Sequence, residues 1–178
     1  MSDQPTQADL DAVRAQLGRV PRGVAAVAHR CPCGHPDVLK TEPRLPDGTP
    51  FPTTFYATCP KLTGAISTLE STGLMKEMSD RLADDPDLAA AYAAAHEDYL
   101  TRRAGLGHVE EIEGISAGGM PTRVKCLHVL VAHSLAAGPG VNPLGDEALA
   151  LLDDWWLPTS CAAVHAAEDA AAEVVAGE

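Results

Sequence analysis

Apolar residues recur at helical spacing near the start of the chain, where Leu10, Val13 and Leu17 lie on one face of a segment spanning 6–17. Thr6 and Asp9 form a capping-box pattern at its start, and Gly18 supplies the stop. The pattern breaks at 19–23. Two short strands are then predicted at 24–29 and 37–41, flanking a turn that holds Cys31, Cys33 and His35. Four prolines and a Pro-Asp-Gly turn signal make 41–52 a rigid connection. The run Thr-Thr-Phe-Tyr-Ala at 53–57 is the strongest strand by residue type.

The remainder reads as helical. Pro60 suits a first helical position, Leu62, Ile66 and Leu69 share a face, and Gly73 closes the helix. A second short helix is predicted over 74–82. A third opens at Asp85 and Pro86, carries Leu88, Tyr92, Ala95 and Tyr99 as a buried stripe, and stops by Gly105 or Gly107. After a Gly-rich stretch at 108–120, Pro121 is expected to start a helix reaching about 137. A last helix is expected over roughly 145–156. The fold class that follows is α+β, a small antiparallel sheet of about three strands covered by several α-helices. The chain divides into an N-terminal helical extension (1–20), one α+β domain (20–161) and a flexible tail rich in alanine and acid (162–178).

Composition narrows the function. The 178 residues carry a net charge of −12, which argues against a nucleic-acid binder, whose affinity comes from Lys and Arg neutralising phosphates. No apolar run approaches the roughly 20 residues that cross a bilayer, and the first ten residues are polar and acidic, unlike a secretory signal. A cytoplasmic protein without membrane insertion is expected; its oligomeric state is left open. Thirty alanines inflate the apolar fraction, while Leu, Ile, Val and Phe total only 37, so the core is modest and a bound metal would add to its stability. Five cysteines, an odd number, read as buried fillers, metal ligands or reactive thiols rather than disulfides in a reducing compartment.

The candidate metal ligands are Cys31, Cys33, Cys59, Cys126 and Cys161. Cys31 and Cys33 lie two apart, a spacing that matches no standard zinc signature, and are expected to share one ion only if the turn is tight. Cys59, just before Pro60, is placed to cap a helix, where its thiol faces backbone N–H groups and the positive end of the dipole, a setting suited to a nucleophile or a metal ligand. Cys126 and His128 would lie about 200° apart within a regular helix and so could not grip one ion together. That assigns the helix a single ligand, Cys126, and makes His128 and His133 core or supporting histidines. Cys59, Cys126 and His128 are the candidate catalytic residues. Gly118, Gly119, Arg123 and Lys125 form a candidate anion site before the expected helix.

Several strings resemble a known family: the run RCPCG at 30–34, LPDGTPFP at 45–52, TCP at 58–60 and the long stretch 115–149. They resemble an uncharacterised bacterial family, domain of unknown function 501, frequent in actinobacteria. The resemblance spans roughly 20–161 and implies no established activity, cofactor or catalytic residue. It implies gene neighbours for a septum-formation initiator and an exopolyphosphatase. Three functions are therefore weighed. The leading one is a protein holding an iron–sulfur cluster or zinc through dispersed cysteines. The second is a cysteine-dependent enzyme acting on a small anionic ligand. The third is a non-catalytic adaptor linked to cell division, meeting a protein partner through Trp155, Trp156 and the acidic tail.

Overall fold

Thr6 caps the first helix by a reciprocal exchange: the Asp9 N–H donates to its hydroxyl at 3.2 Å and its own N–H donates to the Asp9 carboxylate at 2.9 Å. In the structure, a computed structural model that describes residues 3–159, this helix is α1 (Gln7–Leu17). Three strands follow, β1 (Val24–Arg30), β2 (Pro36–Thr41) and β3 (Phe55–Ala57). They form one antiparallel sheet in the order β1-β2-β3, with Val27 opposite Leu39 and Val38 opposite Ala57. Tertiary context shortens the third strand relative to the residue pattern, because Thr54 is used differently. Its N–H takes the Tyr99 hydroxyl as acceptor at 2.7 Å, and its carbonyl accepts the Thr41 N–H.

The sheet is covered on two faces. Val27 and Leu39 point toward Val13 of α1 in a small cluster. The Asp9 carboxylate fastens that helix to the end of β1 through Arg30, at 2.6 and 3.0 Å. The Arg30 hydrogen bond holds the Asp9 carboxyl well below the usual carboxylate range. Val38 and Phe55 join the main core on the other side.

That core is built by α2 (Pro60–Glu70), α3 (Leu74–Asp84), α4 (Pro86–Ala104), α5 (Leu127–Ala137) and α6 (Pro143–Ala150). Pro60 and Pro86 occupy first-turn positions as their fixed φ allows. Leu62, Ile66, Met78, Tyr92, Tyr99, Leu130, Val131 and Leu144 are fully buried, each such aliphatic side chain contributing about 1.5–3 kcal/mol. Helix α5 is buried along most of its length, packing on all three strands and on α2 and α6. It is the centre of the molecule. Among the described residues no helix is long and apolar enough to cross a membrane.

Two sequence expectations are corrected. No helix starts at Pro121: residues 119–126 form a turn and an extended segment, and α5 begins at Leu127. The N–H groups of Arg123 and Lys125 donate to the carbonyls of Gly119 and Gly118, so the loop closes on itself before helical bonding can begin. The last helix is α6, not 145–156. Asn142 caps it by accepting from the Gly145 N–H at 3.0 Å, and it ends before Trp155 and Trp156, which pack edge to face beyond it. The tail expected at 162–178 lies outside the described residues.

Candidate metal centre

The late start of α5 changes what Cys126 can do. Cys126 is the residue before the first turn, with φ −156° and ψ 111°, and so is off the helical grid that would have separated it from His128. Its Sγ lies 3.9 Å from His128 Nδ1. No side chain of this residue caps the helix. The cap comes from elsewhere: the Leu127 N–H donates to Glu70 Oε1 at 2.7 Å.

Glu70 is the last residue of α2, where the helix dipole disfavours a carboxylate. It is stabilised instead by the opposite pole of α5 and by His128, whose Nδ1 is 3.1 Å from Oε1. The three groups close a triad in which one donor atom from each lies within 4.8 Å of the others. Among the described residues it is the one group of three or more His, Cys, Asp or Glu side chains so arranged. All three are half-buried, so ions from solution can reach them.

The other nitrogen of His128 fixes the ring. Nε2 is 3.2 Å from the carbonyl of Thr63 and 3.4 Å from the Ser67 hydroxyl, both on α2. A carbonyl accepts only, so Nε2 carries the hydrogen and Nδ1 faces the thiol and the carboxylate. With Nδ1 also protonated, the ring donates on both sides. The hydrogen bond with Cys126 and the Glu70 charge raise the His128 pKa from 6.5 to about 9, against the opposing effect of burial.

Glu70 escaped the sequence reading because its partner His128 is 58 positions away and no local spacing announces the pair. Two signals were nonetheless present. Thr63, Ser67 and Glu70 make a polar stripe at helical spacing beside Leu62, Ile66 and Leu69, and an acid stands at a helix C-terminus without a basic neighbour in the last turn.

The other candidate residues lie apart from this triad. Cys59 precedes α2 and is fully buried. It stands eleven positions before Glu70, about 16.5 Å along the axis at 1.5 Å per residue, so the two cannot hold one ion. Cys31 and Cys33 lie in the β1–β2 turn, with their sulfurs 3.1 Å apart. The turn is tight, as a shared role for the pair requires. Cys161 lies outside the described residues. His133 is a core residue: fully buried, stacked on Phe55, bonded to Asp98 at 2.8 Å and pushed by burial toward the neutral form.

Gly118, Gly119, Arg123 and Lys125 line a cleft of about 420 Å³. The N–H groups of Arg123 and Lys125 are already spent inside the loop, and the N-terminus of α5 lies beyond it. Gly119 is needed for packing, since at φ +95° a Cβ would stand 2.6 Å from the Arg123 carbonyl oxygen.

The family model for a protein of unknown function, DUF501, matches residues 27–150, well over half of the chain. The chain belongs to the DUF501 family. The matched span takes in most of the sheet, α2 and α5, and with them every member of the Glu70–Cys126–His128 triad. No curated protein and no solved structure matches this DUF501 chain.

Proposed function

We propose that this DUF501 protein binds a divalent transition-metal ion, zinc, through Glu70, Cys126 Sγ and His128 Nδ1. The observation that carries the reading is the convergence within 4.8 Å of three different donors, from α2, from α5 and from the residue that precedes α5. Tetrahedral zinc with bonds of about 2.0–2.3 Å places its ligand atoms roughly 3.3–3.7 Å apart. The 3.1 and 3.9 Å separations here bracket that range. The Thr63 carbonyl supplies the outer-shell acceptor that a metal-bound histidine ordinarily has. One thiolate with an imidazole and a carboxylate suits zinc better than an iron–sulfur cluster, whose ligands are mostly thiolates. Three protein ligands leave a fourth position for water or substrate, the arrangement of a zinc that does chemistry.

Elemental analysis of the untagged chain, purified without oxygen in zinc-replete medium, tests this. One zinc per chain is expected, lost in Cys126→Ser and His128→Ala and kept in Cys59→Ser. Absence of zinc, or zinc that survives Cys126→Ser, rejects the reading.

A second reading is supported by the His128 imidazolium beside the Cys126 sulfur. A cysteine nucleophile partnered by histidine and oriented by Glu70 would use the same three residues. It predicts rapid iodoacetamide labelling of Cys126 in metal-free protein, slowed at least about tenfold by His128→Gln. Slow labelling at Cys126 in both proteins excludes it.

A further inference from the structure

A second group of chemically capable residues sits at the β1–β2 turn, away from the metal triad. The Gly34 N–H donates to the Cys31 carbonyl at 2.8 Å and the Cys31 N–H to the His35 carbonyl at 2.9 Å, folding Cys31-Pro32-Cys33 into one tight loop. Both sulfurs thereby reach the same side and touch at 3.1 Å. Cys31 is buried at 2% exposure, whereas Cys33 is half-buried. Burial pushes the Cys31 thiol up to about 11, and the charges of Cys33 and Asp37 act in the same direction.

Asp37, two positions after the turn, is fully buried. One of its carboxylate oxygens is 2.7 Å from His29 Nδ1, and the other has no partner among the described residues. The Thr58 hydroxyl, opposite it across the β2–β3 ladder, is likewise without a partner.

We propose that Cys31 and Cys33 form a thiol–disulfide exchange centre for low-molecular-weight disulfides. The Cys33 thiolate attacks a disulfide R–S–S–R′, forming Cys33–S–S–R and releasing R′–S⁻. Cys31 then loses its proton to solvent, attacks the Cys33 sulfur and expels R–S⁻. The dithiol is oxidised by two electrons and the substrate disulfide is reduced to two thiols, which take up the protons that the cysteines lose. The half-buried position of Cys33 selects small disulfides. The step is independent of zinc at Glu70, Cys126 and His128.

The test uses the full reduced chain, without oxygen, and hydroxyethyl disulfide, a neutral probe suited to a protein of net charge −12. Samples are quenched in acid, alkylated and digested with trypsin, which places Cys31 and Cys33 alone in the peptide 31–40. The wild-type peptide is expected two hydrogens lighter, with a Cys33 mercaptoethanol adduct seen only in passing. That adduct is expected to persist in Cys31→Ser. Two alkylated thiols in the wild-type peptide, a lasting wild-type adduct, or a crosslink from Cys33 to another peptide overturns the exchange centre. The wild-type result needs no variant to fold.

Discussion

Protonated His128 has a partner at each nitrogen: Thr63 and Ser67 at Nε2, Glu70 and Cys126 at Nδ1. The fold therefore holds the ring proton more tightly than the unfolded chain does, with a pKa of about 9 against 6.5. The sign of the pH dependence follows. Below pH 6.5 both states are protonated and the contribution to stability is complete; it declines as pH rises and is gone once pH passes about 9. For chelator-treated protein, the melting-temperature advantage of wild type over His128→Gln is expected to shrink between those limits in a series of circular-dichroism melts. An advantage constant across that range contradicts the assignment. The same residues show what a sequence can carry. Cys126 and His128 are conspicuous in it, but their cooperation depends on one backbone conformation at position 126, and Glu70 joins them only through the tertiary fold.

At the scale of elements, most boundaries follow from local chemistry. The Thr6 capping box, Pro60, Pro86 and the stop at Gly18 each act within a few residues of their own position, which is why those helices are legible. The start of α5 is not, because Pro121 imitates a first-turn proline while the carbonyls of Gly118 and Gly119 take the N–H groups that a helix would need. The close crossing of α5 and α6 is equally hidden. It rests on Gly145, where a Cβ would overlap the Leu130 carbonyl and the Ser134 hydroxyl. Gly145→Ala is expected to cost about 1–3 kcal/mol by overpacking, read from the urea midpoint. A change below about 0.5 kcal/mol would mean that the two helices slide apart freely.

Across the whole molecule, α5 connects the sheet to the helical layer and carries Cys126 and His128, two of the three proposed metal ligands, at its N-terminal end. Under the proposed function, one ion at these residues would tie α2 to α5 in an alanine-rich chain with a modest aliphatic core. The α+β class was legible from hydrophobic periodicity, since three short strands and the helices each show their own period. The convergence of Glu70 with Cys126 and His128 was not, because it arises from helix packing between segments distant in sequence. Cobalt titration of the metal-free chain under anaerobic conditions tests that convergence most directly. The account predicts saturation at one cobalt per chain, with a near-ultraviolet thiolate charge-transfer band and intense visible bands of tetrahedral coordination. Both are expected to vanish in Cys126→Ser and to remain in Cys59→Ser. A spectrum without a thiolate band, or one that Cys126→Ser leaves unchanged, contradicts it.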